Sequence, residues 1–120
     1  LCQQNGILPE MARYDTKMMA WGPLGQGADD LLKSPVLMEI GAQYGKSAAQ
    51  VALRWLIQRG IVAIPKSMHK ERMVSNFDIF DFTLSETDMQ RIEPLNQQDT
   101  GFRNFADPNY LRRIIGMFNL

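Results

Sequence analysis

Five consecutive residues, Ile61-Val62-Ala63-Ile64-Pro65, contain no polar side chain and follow directly on Gly60. Successive side chains of a strand point to opposite faces, so a strand built from this run is apolar on both. Such a strand needs cover on both sides, the situation of parallel strands lying between helices. The residues before it supply one covering helix. Ser47 is an N-cap with Gln50 three positions on, the pattern of a capping box. Ala48, Val51, Ala52, Trp55 and Leu56 then recur at i, i+3, i+4, i+7 and i+8, one apolar stripe. Arg54, Gln58 and Arg59 lie off that stripe, and Arg59 complements the dipole at the C-terminal end before Gly60 stops the helix. The unit is helix, glycine stop, buried strand.

The rest of the chain repeats the logic. "NGILPEMARYD" suits a short helix starting near Pro9, and Lys17–Trp21 is a brief apolar strand closed by Gly22-Pro23. "GPLGQGADD" is a loop. Ser34 as N-cap and Pro35 at the first helical position start a helix through Val36, Leu37 and Ile40 to Tyr44, where Gly45 ends it. His69 to Phe77 reads as a short helix, "IFDFTLS" as an extended surface connection, and Ser85 with Asp88 as the start of a helix from Glu86 to about Glu93. The remainder is polar with scattered aromatics, and Asp107-Pro108 begins a last helical turn. Helices alternating with two apolar strands make an α/β protein with parallel strands. Two strands form no sheet able to cover these helices, since stable sheets need three or more. The chain therefore pairs with copies of itself or forms part of a larger barrel or sheet.

Composition narrows the function. Thirteen basic and thirteen acidic residues among 120 cancel, so no global field draws the chain to nucleic acid or an anionic membrane, and anion binding must come from a local patch. A single cysteine, Cys2, allows no internal disulfide and fits a reducing, cytoplasmic setting. No apolar run approaches the roughly 18–20 residues of a spanning helix. No cleavable leader pattern opens the chain. It starts at Leu1, "LCQQNG", in mid-flow, which we read as residues upstream being absent.

Two loops stand out chemically. "GPLGQG" puts three glycines in six residues, so backbone N–H groups can approach an anion such as a pyrophosphate; it matches neither a dinucleotide fingerprint nor a P-loop. Trp21, just before it, is either a core tryptophan or a flat face for a planar ring. After the second strand, Lys66, Ser67, His69, Lys70 and Arg72 crowd into seven residues, followed by Ser75 and Asn76. In parallel α/β sheets ligands bind at the C-terminal strand ends, where this cluster falls, and its donors suit a phosphate. The alternative is a solvated basic turn. His69 has no second ligand at metal spacing, Cys2 no paired histidine, and Glu86, Asp88 and Glu93 read as a capped helix rather than a carboxylate pair. The eight methionines read as core filler.

Taken in series, "AWGPLGQG", "VALRWLIQRGIVAIPKS" and "HKERMVSNFDIFDFTLSETDM" resemble the C-terminal part of aldo-keto reductases, over Leu1 to about Asn96. The likeness is to bacterial members related to 2,5-diketo-gluconate reductases. It implies a (β/α)8 TIM barrel, of which this chain holds the last two strand–helix units plus a tail: residues 1–96 barrel elements and cofactor loops, 97–120 the C-terminal loop. It implies NADPH-dependent reduction of aldehydes and ketones. Trp21 would stack on the nicotinamide; Gly22, Leu24 and Gln26 would line the pyrophosphate loop. Lys66, Ser67, Met68 and His69 would hold the 2′-phosphate of NADP, Arg72 would stack on adenine, and Asn76 would bond its edge. This chain has Ser75 where many relatives have Glu, and His69 where others have Ser or Thr. The Asp, Tyr, Lys and His of the family's catalytic tetrad map onto none of these residues, Tyr14, Tyr44 and Tyr110 included, and the tyrosine that protonates the carbonyl oxygen is expected upstream. "GFRNFADPNYL" would border the substrate pocket through Phe102 or Phe105.

The expected partners are a small carbonyl substrate, with no nucleic acid and no membrane, and the full-length protein is expected to be a monomer. An isolated 120-residue chain is expected to be inactive and poorly stable, because its strand edges are unpaired. A second reading is an NADPH-binding regulatory or redox-sensing subunit on the same fold without useful turnover. A third, a basic-loop adaptor for nucleic acid, conflicts with zero net charge and with the lack of interleaved aromatics.

Overall fold

A computed structural model describes residues 3–25 and 30–96. In chain order the elements are α1 (Leu8–Arg13), β1 (Met19–Trp21), α2 (Pro35–Tyr44), α3 (Ala48–Gln58), β2 (Val62–Ile64), α4 (Lys70–Phe77), α5 (Glu86–Ile92) and a 3₁₀ turn at Glu93–Leu95. The expected elements thus form where the sequence places them. The expected tail helix at Asp107-Pro108 lies outside the described residues.

Local chemistry accounts for the boundaries. Ser47 Oγ accepts from the Gln50 N–H while Gln50 Oε1 accepts from the Ser47 N–H, so both halves of the capping box of α3 form. Ser85 and Asp88 do the same for α5. Ser34 differs: its side chain caps nothing, and Pro35 starts α2 through its preset φ. At the other ends, Gly45 (φ 65°) and Gly60 (φ 72°) adopt the left-handed conformation. The N–H of Lys46 bonds Gly41 O and that of Ile61 bonds Leu56 O, closing the 6→1 bond of a Schellman motif each time.

β1 and β2 pair in parallel, with Met19 opposite Val62, Ala20 opposite Ala63 and Trp21 opposite Ile64. Each strand is three residues rather than five, because the ladder ends where the chains diverge into their loops. Among the described residues this two-stranded sheet closes no barrel. Leu37 and Ile40 of α2, Val51, Ala52, Trp55 and Leu56 of α3, Ile61, Leu84 and Ile92 form the core. Ala20 and Ala63 pack half-buried against that core.

Among the described residues the sheet is covered on one face. Met19, Trp21, Val62 and Ile64 point the other way and are 59%, 52%, 42% and 47% exposed, because no described element packs on that side. The methionines divide: Met18 and Met89 pack against the core as expected, whereas Met19, Met38, Met68 and Met73 are exposed on the open sheet face or the outer sides of helices and loops. The connection after α4 is less superficial than its pattern suggests, since Ile79 and Leu84 are buried. No helix among the described residues is long and apolar enough to cross a membrane.

Candidate functional site

The parallel register decides where the two unusual loops go. Trp21 lies opposite Ile64, so the chain leaves the sheet at the same end after both strands. Gly22 and Pro65 start neighbouring loops on that edge. Two loops some forty residues apart in sequence therefore start side by side, and this follows from the pairing alone.

On the first loop, Trp21 is half exposed, on the sheet face that no described element covers. Gly22 has φ 61° and Gly25 φ 77°, and the Gly25 N–H bonds Gly22 O at 3.0 Å, so the loop folds back as a tight turn that side chains disfavour. Leu24 turns inward and packs against the core, tethering the turn. Gln26 lies outside the described residues.

On the second loop, Lys66, Met68 and His69 are exposed and Ser67 is half-buried. Ser67 Oγ accepts from the His69 N–H at 3.1 Å and lies 3.4 Å from the His69 carbonyl oxygen, a local turn that brings the loop into α4. His69 is the N-cap residue of α4 but makes no side-chain cap. Arg72 is exposed on the first turn of α4, and Asn76 is half-buried on its second, lining a cleft of about 270 Å³ with Ala63, Pro65 and Met73. An exposed indole, a glycine turn and a row of cations with hydroxyl and amide donors thus share one sheet edge. That donor set fits a phosphorylated ligand carrying planar rings. Among the described residues no three His, Cys, Asp or Glu gather to hold a metal.

What pattern-reading missed is how α4 is held. Lys46, Gln50, Arg54 and Gln58 recur every fourth residue, and each binds the segment that follows α4. Lys46 Nζ reaches Asp78 Oδ2 at 2.8 Å and Asp81 Oδ2 at 2.7 Å. Gln50 Nε2 donates to Asp78 O at 2.8 Å, Arg54 Nη1 to Ile79 O at 3.2 Å, and Gln58 Nε2 to Leu84 O at 3.0 Å. Gln58 Oε1 in turn accepts from the Leu84 N–H. Arg59, expected to serve the helix dipole, instead stacks 4.3 Å over Trp55 and bonds Gln3 O and Asn5 Oδ1. Burial pulls its pKa below the usual arginine value. The signal for the ladder was its four-residue spacing, which a solvent-facing row shares.

The remaining polar network lies away from that edge. Tyr44 Oη donates to Asp88 Oδ2 at 2.6 Å, as does Ser85 Oγ. The bond to Asp88, with burial, raises the Tyr44 pKa. The hydroxyl is engaged in closing the cap of α5.

A family model described as the Aldo/keto reductase family matches residues 1–97. The chain is 52% identical over 108 residues, 90% of its length, to an aldo-keto reductase of Mycolicibacterium smegmatis. Its structure superposes with a TM-score of 0.79 on a putative 2,5-diketo-D-gluconic acid reductase B, at 32% identity over 92% of this chain. A mutant of Gox0644 solved in complex with NADPH matches with a TM-score of 0.77, at 33% identity over 90% of this chain. The chain spans 38% of the length of each of these three proteins.

Proposed function

The chain belongs to the aldo/keto reductase family, and on that premise we propose that it forms the cofactor-binding portion of an NADPH-dependent carbonyl reductase, the last two strand–helix units of a (β/α)8 barrel. The observation that carries this reading is the parallel register that delivers Trp21-Gly22 and Lys66–Asn76 to one sheet edge. When bound, the reduced nicotinamide supplies a hydride to an aldehyde or ketone carbon, giving an alcohol.

This chain's own residues bind and orient. Trp21 offers its exposed indole face to the nicotinamide and shields one side of that ring from water. The turn from Gly22 through Leu24, with Gln26 beyond it, receives the pyrophosphate. Lys66, Ser67 and the Met68-His69 backbone take the 2′-phosphate, where a charge-assisted contact is stronger than a neutral one. Arg72 stacks on adenine and Asn76 bonds its edge. No proton donor is assigned among the described residues; Tyr14 is exposed at the end of α1, and the Tyr44 hydroxyl is engaged with Asp88. A small carbonyl substrate, a monomeric full-length protein and a cytoplasmic setting complete the proposal.

The test is titration of the full-length protein with NADPH and NADH. Lys66→Ala should reduce the preference for NADPH by about 10- to 100-fold, the worth of one hydrogen bond to a charged group. An unchanged preference between the two cofactors would refute the 2′-phosphate assignment.

A further inference from the structure

α4 carries Arg72 and Asn76, yet it buries none of its own residues. Only Ser75 and Asn76 are half-buried, where the helix rests against α3, so this two-turn helix depends heavily on its ends for position. Its N-terminal end hangs on the Pro65–His69 loop. Its C-terminal end is Asp78, the C-cap residue, and there the contacts converge. The Asp78 carbonyl accepts from Gln50 Nε2 at 2.8 Å and from Lys46 Nζ at 3.3 Å. The Asp78 carboxylate accepts from the same two groups, at 3.2 and 2.8 Å, and Lys46 also binds Asp81.

Lys46 is no ordinary surface lysine. Its side chain is only 9% exposed, it lies 5.5 Å over the ring of Phe82, and its hydrogen bonds to Asp78 and Asp81 raise its pKa. Its backbone is also fixed, as the residue that closes the Schellman motif after α2. The two lower rungs, Arg54 and Gln58, grip residues 79–84 instead. Loss of Lys46 therefore loosens α4 while the connection beyond it stays anchored.

We propose that Lys46, with Gln50, is a positioning residue for the adenosine end of the cofactor: by pinning Asp78 at the end of α4 it holds Arg72 and Asn76 in place. This rests on the cofactor reading above. In an eight-residue helix, a shift at the C-cap is carried to Arg72 with little damping, since only the half-buried Ser75 and Asn76 resist it.

The experiment is calorimetric titration of the full-length protein with 2′,5′-ADP, which has the adenosine and the 2′-phosphate, and with reduced nicotinamide mononucleotide, which has neither. Lys46→Met and the surface variant Asp81→Asn should each weaken 2′,5′-ADP binding, the former by about five- to tenfold and the latter by less. Both should leave the mononucleotide affinity unchanged. Lys46→Arg should restore most of the loss, and Lys46→Met should add little once Arg72 is already Ala, because both act through one helix. Unchanged 2′,5′-ADP affinity in the folded Asp81→Asn and Lys46→Met proteins overturns the inference and leaves the cofactor reading standing. So does a loss that is fully additive with Arg72→Ala. A wild-type protein that binds no 2′,5′-ADP overturns both.

Discussion

Replacing Gln58 with methionine tests the ladder at its best-defined rung. Gln58 Nε2 donates to Leu84 O at 3.0 Å, and Gln58 Oε1 accepts from the Leu84 N–H at 2.8 Å and from Arg54 Nε at 3.1 Å. Methionine keeps the length of the side chain and removes every one of these groups. Leu84 is 3% exposed, so its N–H and carbonyl lose their partner where water enters poorly. Each stranded buried polar group costs about 1–3 kcal/mol. Gln58 itself is half-buried, which admits some water and keeps both terms near their lower bound. Arg54 retains Ile79 O and Thr83 Oγ1, so its loss adds little. The expected sum is about 2–3 kcal/mol, a large part of the roughly 5–15 kcal/mol that holds a typical domain folded. Urea unfolding of the full-length protein should show a lower midpoint at unchanged slope. Gln90→Met is the control, because Gln90 is exposed there with one long bond of 3.4 Å to Glu86, and it should stay within about 0.5 kcal/mol of wild type. If Gln58→Met behaves like that control, the four-residue row is a solvated face and the reasoning fails.

Two further outcomes follow from the same packing. A Cβ on Gly41 would run into the Lys46 backbone carbonyl, which the Schellman motif holds fixed, so Gly41→Ala should destabilise by about 1–3 kcal/mol despite the better helix propensity of alanine; a raised melting temperature would contradict this. Burial disfavours the charged form of Asp88, but hydrogen bonds from the Ser85 hydroxyl, Tyr44 and the Ser85 N–H outweigh it and hold its pKa below the ordinary 3.8. A carboxylate with a lowered folded pKa contributes stability above its unfolded pKa and loses it as pH falls through the folded value. Urea midpoints measured from about pH 6 down to about pH 2 should therefore drop, and Asp88→Asn should flatten that drop; an acid limb of equal steepness in both proteins would remove Asp88 from the account.

Much of the chain was legible before any coordinates. The capping boxes at Ser47 and Ser85, the glycine stops at Gly45 and Gly60, and the apolar stripe of α3 depend on neighbours within one or two turns, so their pattern survives in the order of residues. The likeness to the family was legible for a related reason, because its loops are contiguous stretches. Trp21 was not settled that way. An indole after an apolar run reads equally as core or as surface, and the packing puts it with Met19, Val62 and Ile64 on the sheet face that no described element covers.

The sequence by itself determined the elements, the ends of the capped helices and the family, because those rest on short-range hydrogen bonds and periodicity. Tertiary structure alone decided which residues meet. The register of β1 on β2 brings the two loops to one edge, and Lys46 with the row Gln50, Arg54 and Gln58 of α3 clamps Asp78 and the connection behind it instead of facing water. The physical reason is that a polar row carries the same spacing whether it faces water or a backbone. What it faces is set by the packing of α4 and the connection behind it.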